Sequence, residues 1–403
     1  MKKILCFTAS ALCAAISATA LQLPTFSGNL GFLGEVTPEP TINAQSYFAG
    51  QIDFSGRFLF RTEFSVAADS LQDSINDASN VQSAFNIQEI SGTFNFSTGQ
   101  VTHYVSAFLG EFEPIGSDIF LKRQFGVQSI SSNLMDSWHS YNGASAYPFY
   151  GLGASYALHI VKNYAAALYV SRNTDSVTGV NSLDTNLRFA TVSHSMILDV
   201  ATGLSFVLGE SGGIFSIDTI TLHGGLNLLA GNRNFLSFFL QAGVSDYTID
   251  AQSGHKFNND SIYVLFEPRL VLNGFHIAPS AFILPFEAQN KMLFLHYPEE
   301  MITDDDANKS SVGANLNIYK EDLYVGITDI TVGGHLTLSF PGSNAMTLIP
   351  NIMAGDSHPQ LTISPYLTTD IFGGSLMIAF TVNLLHLKEA DSTKIFLGIR
   401  SEL

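Results

Sequence analysis

The chain has almost no cysteine. Of its 403 residues only Cys6 and Cys13 carry a thiol, and both lie within the first 20. No disulfide framework exists downstream of them, so an exported chain of this size has to be held by backbone hydrogen bonds and packing. Charge is scarce as well: charged residues make up 13% of the chain against 46% hydrophobic ones. The scarcity is lopsided. Lys and Arg number 18 against 35 Asp and Glu, for a formal net charge of −17, which argues against nucleic-acid binding, because that needs a basic face. Long apolar runs are missing too. Beyond the first 20 residues nothing approaches the roughly 18 apolar residues of a membrane-spanning helix. A chain this apolar must therefore place its hydrophobic side chains by some pattern other than a continuous run.

What is present, first, is an export signal. Met1-Lys2-Lys3 is a short basic start, Ile4 to Ser17 is apolar and small, and Ala18-Thr19-Ala20 fits the small-x-small cleavage pattern. Residues 1–20 are therefore expected to be a signal peptide. Lipidation at Cys13 is the alternative, and Ser10-Ala11-Leu12 before it fit that poorly.

Second, many segments alternate with period two. Phe58, Phe60, Phe64 and Val66 share one face, with Arg57, Arg61 and Glu63 on the other. Leu152, Tyr156, Leu158 and Ile160 oppose Ser155 and His159. Leu183, Leu187 and Phe189 oppose Asp184, Asn186 and Arg188. Leu236, Phe238, Leu240 and Val244 oppose Ser237 and Gln241. Leu376, Ile378, Phe380, Val382 and Leu384 oppose Ser375, Thr381 and Asn383. There are too few helical segments to cover so many greasy faces in water. Bulky apolar groups facing lipid and polar groups facing a wet interior fit a transmembrane barrel. Lipid offers no partner to free backbone groups, so the sheet must close. The expected fold is all-β: a closed antiparallel transmembrane β-barrel of roughly 16–18 strands.

Turn signals divide the strands. Asn273-Gly274 between two apolar runs predicts a two-residue hairpin. Other short turns are expected at Ser55-Gly56, Val161–Asn163, Gly231–Asn234, Lys320–Asp322 and Pro341–Asn344. Long polar connections are expected at Asp69–Gln82, Glu113–Tyr147, Arg172–Ser182, Thr248–Asp260 and Glu287–Lys309. Short turns on one side and long loops on the other are the outer-membrane pattern. Leu21 to Ala44 hold Pro24, Pro38 and Pro40 and read as a non-strand N-terminal lead or plug segment. The remainder, residues 45–403, reads as barrel. The Glu113–Tyr147 connection holds the one tryptophan, Trp138, and is long enough to be functional; folding inward as a constriction is one reading of it. Pro268 and Pro279 fall opposite each other about the Asn273-Gly274 turn. Neither can donate to the ladder, so a break or bulge is expected there.

Pore-lining candidates follow from parity: Arg57, Arg61, Glu63, His103, Glu111, Asp184, Arg188, His223, Glu267, Arg269 and His276. Facing a water-filled lumen, such charges cost little, and opposed rings of charge would tune ion selectivity; the alternative is that they are merely hydrated or paired locally. The eleven histidines show no metal-binding spacing. Asp304-Asp305-Asp306 lacks the glycine and distal glutamate of a calcium loop and reads as a solvated tip. His139-Ser140-Tyr141-Asn142-Gly143 resembles the His-x-Ser-Asn-Gly segment of outer-membrane phospholipase A. Tyr141 stands where that segment has its serine, so the histidine has no nucleophile to activate. No enzymatic activity, cofactor or metal is expected.

The signal at Met1–Ala20, the alternating segments, and the final Lys394–Leu403, where Ile395, Leu397, Ile399 and Leu403 share parity, together resemble bacterial outer-membrane β-barrel proteins of the porin-like class. A weaker resemblance is to fatty-acid transporters, which carry an N-terminal plug. The class usually ends in an aromatic residue, and Leu403 departs from that. The resemblance implies an outer-membrane location among its lipids, insertion by the barrel-assembly machinery, and passive transport of small solutes. The expected function is a channel for small hydrophilic solutes with a modest cation preference. Two alternatives stand beside it: a plugged barrel carrying a hydrophobic substrate, and a surface adhesin or structural barrel.

Overall fold

The computed structural model describes residues 24–37, 42–68, 83–126, 150–174, 181–211, 214–250, 254–257, 259–285, 310–325, 328–344, 346–355, 357–371, 373–389 and 392–403. The signal segment, Trp138, His139–Gly143, Asp304–Asp306 and the expected connections 69–82 and 287–309 lie outside the described residues.

Among the described residues nineteen strands follow one another. The first nine are β1 (Thr25–Val36), β2 (Ile42–Phe54), β3 (Phe58–Ala68), β4 (Ser83–Thr98), β5 (Val101–Glu111), β6 (Tyr150–Ile160), β7 (Tyr164–Thr174), β8 (Asn181–Val192) and β9 (Met196–Ser211). Next come β10 (Ile214–Asn232), β11 (Leu236–Asp250), β12 (Gly254–Phe257), β13 (Ile262–Leu272) and β14 (Phe275–Leu284). The last five are β15 (Ser311–Val325), β16 (Thr328–Phe340), β17 (Gln360–Ile371), β18 (Gly374–Asn383) and β19 (Thr393–Glu402). Each pairs antiparallel with its neighbour in sequence, except that β11 pairs with both β12 and β13. The short β12 adds to β11 alone, so 18 strands make the ring. The ring closes between β1 and β19, from Asn29 opposite Glu402 to Val36 opposite Ile395. Leu403 extends this seam, exchanging backbone hydrogen bonds with Gly28, and Lys394 Nζ meets Glu35 at 2.9 Å across it. Closure removes both sheet edges, as lipid requires.

The expected lead or plug segment is therefore corrected. Within Leu21–Ala44, Thr25–Val36 is a full wall strand, paired on both sides. Its glycines, Gly28, Gly31 and Gly34, dilute the alternation that would have revealed it. Gly31 is needed for another reason: a Cβ there would sit 2.1 Å from the Tyr47 ring on β2. The ring lies over the glycine notch and fills it, and together with Leu33, Met377, Ala379 and Phe396 forms a small buried cluster on the inner wall.

Side-chain facing follows the alternation. Leu152, Tyr156, Leu183, Leu187, Phe189, Leu236, Phe238, Ile378 and Phe380 are exposed on the outside, whereas Ser155, Asn186, Arg188, Ser237, Gln241, Thr381 and Asn383 are buried inside. Phe60 has the outward parity and Arg61 and Glu63 the inward. Strands of this kind cross a membrane with the apolar face on lipid; among the described residues no helix is long and apolar enough to cross.

Short turns gather at one end: 54–58, 98–101, 160–164, 192–196, 232–236 and 272–275 among them. Asn273 (φ 51°) and Gly274 (φ 79°) are both left-handed, as a type I′ turn demands. Two turn expectations fail. Lys320–Asp322 is a bulge inside a continuing β15, with Asp322 at φ 57°, and Val325 pairs with Thr328 beyond it. Pro341–Asn344 opens a longer connection at the opposite end, which carries helix α2 (Leu348–Ala354). Arg172–Ser182 and Thr248–Asp260 also carry more strand than expected, because β7, β8 and β11 run into them.

The expected ladder break is present. β13 and β14 pair at Phe266–Ala281 and again at Leu270–Ile277, with no pairs between. Pro268 and Pro279 occupy that gap and lack the amide that would fill it. Pro365 does the same between β17 and β18, where pairing skips from Ile363–Val382 to Tyr366–Ala379.

Candidate functional site

The connection leaving β5 does not stay outside. Phe112, Glu113, Pro114, Ile115, Gly116 and Ser117 are all buried, and they lead into α1 (Ile119–Phe125), whose Ile119, Phe120, Leu121 and Gln124 are buried too. Phe112, Phe120 and Leu121 share one apolar cluster with inward residues of the wall, including Phe108, Tyr169, Ile197, Phe239, Tyr263 and Phe282. The Phe112 ring stacks on Phe108 with centroids 4.6 Å apart. The segment thus lies inside the barrel, against the β5–β14 side of the wall. Helix α1 ends on Gly126 (φ 68°), whose amide caps the Lys122 carbonyl, as an αL cap requires.

Polar contacts fasten this segment. Arg123 Nη2 donates to both oxygens of Glu89 at 2.7 and 2.9 Å, and Nη1 donates to Glu113 at 3.1 Å. Tyr169 Oη donates to the other Glu113 oxygen at 2.5 Å. Arg188 donates from Nη1 to the Glu113 backbone carbonyl at 2.5 Å, and from Nε and Nη2 to Asp199 at 2.8 and 2.5 Å. Its guanidinium also lies 4.6 Å over the Phe120 ring. Glu113 has φ 53°, a conformation that costs a non-glycine residue roughly 1–2 kcal/mol. The contacts from Arg123, Tyr169 and Arg188 hold it there.

Glu89 reaches the lumen through a bulge. Glu63 pairs with Glu89 and Phe64 with Ile87, leaving Gln88 as the extra residue. Gly110 faces this bulge at φ 105°, and a Cβ on it would come within 2.2 Å of the Gln88 carbonyl. Glu63 and Glu89 are therefore direct cross-strand neighbours, both fully buried. Like charges so placed repel, and Arg123 supplies the opposite charge. Lys122 next to it is exposed; its electrostatic neighbours include Arg400, Arg61, Glu402 and Asp118. Arg61 in turn donates to Gln51 on the adjoining strand.

The other candidates divide as follows. Asp184, with Ser182 Oγ donating at 2.9 Å, and His223, bonded to Asn186, are inward and buried. Glu267 and Arg269 are inward and paired at 2.8 Å. His276 is inward at the short-turn end, stacked 4.5 Å from Tyr319 and 3.3 Å from Glu321. Three expectations are corrected. Arg57 lies exposed in the β2–β3 turn. His103 faces outward, 4.7 Å from the Phe96 ring and bonded to Tyr156 Oη at 2.7 Å. Glu111 has the outward parity of Val105 and Leu109. Strand β5 misleads because both of its faces are mixed: Tyr104 and Phe108 lie inside, Phe108 stacked on Phe112, while His103 lies outside. Reasoning from sequence missed Glu89, Glu113, Arg123 and Asp199. Asp199 had a usable signal, standing between Leu198 and Val200; the bulge hides Glu89. Among the described residues no group of His, Cys, Asp and Glu is arranged to hold a metal.

No family model matches the chain, and no curated protein matches it. Solved structures do. OccK5 (OpdH) of Pseudomonas aeruginosa is 9% identical, covers 96% of this chain and 99% of its own, and superposes with a TM-score of 0.55. OccAB3 of Acinetobacter baumannii is 9% identical, with 94% and 99% covered and a TM-score of 0.52. A porin variant from Rhodopseudomonas blastica is 10% identical, with 94% and 100% covered and a TM-score of 0.38. At such identities the likeness is one of fold, and the fold shared with OccK5 and OccAB3 is a closed antiparallel β-barrel, here of 18 strands.

Proposed function

We propose that the chain is an outer-membrane channel through which small hydrophilic solutes diffuse. The observation that carries this is the segment Phe112–Gly126, which enters the lumen and is fastened to one side of the wall by Arg123 and Arg188. A fastened segment narrows a lumen at a fixed place, which is what a size- and charge-selective passage needs. Surrounding outer-membrane lipid and insertion by the barrel-assembly machinery belong to the same proposal.

A modest cation preference fits the charges. Glu89 and Glu113 converge on Arg123 and Glu63 stands opposite Glu89, so carboxylates outnumber the cation they share, and the net charge of −17 adds to it. Lys122, Arg61 and Arg400 oppose them from the exposed face of α1 and the β3 and β19 walls. The test is planar-bilayer recording across a potassium chloride gradient. Stepwise conductance with a reversal potential of cation sign is expected, and Lys122→Glu should enlarge it. Absence of conductance overturns the channel; a potential of anion sign overturns the preference alone.

A further inference from the structure

The connection between β16 and β17 has no charged residue from Pro341 to Gly355. Its helix α2 buries none of its residues. Met346 is 67% exposed, Ile349 66% and Met353 83%, with Ile352 exposed beside them. A connection surrounded by water gains nothing from such a display. Nor is it a loose loop. Asn344 Oδ1 accepts from the amides of Met346 and Thr347, its Nδ2 donates to Asp260 at 3.0 Å, and Asn351 Nδ2 donates to Ser343 at 3.3 Å. The apolar groups are held out on a built support.

The neighbouring connection, between β18 and β19, repeats the feature with exposed Leu384, Leu385 and Leu387. Leu384 continues the outward parity of Ile378 and Phe380 along β18, and its amide donates to the Leu361 carbonyl at 2.7 Å. The two connections adjoin where His386 Nε2 meets the Pro359 carbonyl at 3.3 Å. Leu384 therefore continues the outward apolar belt at the long-connection end, and the connection that carries α2 adjoins it there.

We infer that α2 and Leu384–Leu387 form an apolar foot seated in the acyl chains of the outer leaflet. Two features select acyl chains as the occupant: the foot is continuous with the lipid-facing belt through Leu384, and α2 bears no charge. An uncharged apolar surface at this depth is stabilised by burial beside the headgroups. The connection then serves as a rim anchor and does not itself reach over the barrel mouth. This rests on the membrane-spanning reading of the barrel and is independent of whether it conducts.

The experiment uses the full chain with Trp138→Phe, carrying one new tryptophan at a time: Ile349→Trp, Met353→Trp, or Ile378→Trp in the lipid-facing belt. Each is refolded into phosphatidylcholine vesicles with brominated acyl chains, and folding is checked by a heat-dependent gel shift. Quenching at 349 and 353 to the same extent as at 378, with protection from aqueous acrylamide, is expected. Quenching at 378 alone overturns the foot, whether 349 and 353 are then reached by acrylamide, meaning water, or by neither quencher, meaning protein contact. No quenching at 378 overturns the membrane reading, and the foot falls with it.

Discussion

Arg188→Met should release the lumenal segment without dissolving the barrel. Arg188 is buried, spends two donors on Asp199 and one on the Glu113 carbonyl, and stacks over Phe120. Truncating it leaves Asp199 buried opposite a methyl group. Breaking one partner of a buried ion pair costs about 3–5 kcal/mol. That cost falls on the docked state of the segment, because undocking lets water reach Asp199. At 1.4 kcal/mol per tenfold change, the ratio of docked to undocked falls by roughly two to four powers of ten. Single-channel recording should show a larger and noisier conductance, while the heat-dependent gel shift persists. Arg188→Met with Asp199→Leu removes both charges and should return towards the parent conductance, since a matched apolar pair is often nearly neutral against the ion pair. Unchanged conductance and noise in Arg188→Met would refute the idea that this residue fastens the constriction. A double variant as noisy as the single one would show that the Glu113 contact, and not the unpaired Asp199, dominates.

Other expectations follow from facing and packing. Phe60→Arg should refold in lower yield than Gln51→Arg, because a lipid-facing arginine costs about 2–4 kcal/mol near the midplane and a lumenal one little; equal yields by gel shift would contradict the facing. Replacing Pro268 and Pro279 together by valine should close the gap between β13 and β14, seen as added amide protection in hydrogen exchange across 265–282; no gain would mean the gap has another cause. Gly225→Ala places a Cβ 1.8 Å from Tyr263 Oη and should lower the thermal transition through overpacking of about 1–3 kcal/mol. Adding Tyr263→Phe should recover part of that loss, and a thermal scan showing no recovery would reject the clash.

The architecture was legible where one physical rule acts on each residue separately. Alternation put Phe60 outside and Arg61 inside because lipid and water lie on opposite faces of a single sheet. Asn273-Gly274 set a register, and the register predicted the gap at Pro268 and Pro279. Legibility failed where a second rule intervened. In β1 three glycines, of which Gly31 admits Tyr47, erase the pattern. In β5 both faces mix apolar and polar groups, because Phe108 turns inward to receive Phe112, so parity puts His103 and Glu111 on the wrong side. At Gln88 one inserted residue reverses parity, and no local feature of Ile87–Ile90 announces it. The tether from Arg123 to Glu89 spans 34 residues and depends on the segment having already folded inward.

The failures at β5, Gln88 and the Arg123 tether share a location, apart from that in β1. The apolar inner face of β5, the bulge at Gln88, Gly110 and the left-handed Glu113 all serve one object, the seating of Phe112–Gly126. A barrel interior need only be polar and hydrated to satisfy closure; it need not contain Phe108, Phe239, Tyr263 and Phe282 gathered around an inserted helix. The apolar cluster on the β5–β14 side draws the segment there, and the ion pairs keep it in register. The remaining lumen then lies between the Lys122 face of α1 and the wall formed by β19, β1, β2 and β3, where Arg400, Gln51 and Arg61 project inward. Sequence departs from the simple barrel pattern where the interior acquires a structure of its own, and that structure is where a solute would meet side chains rather than water.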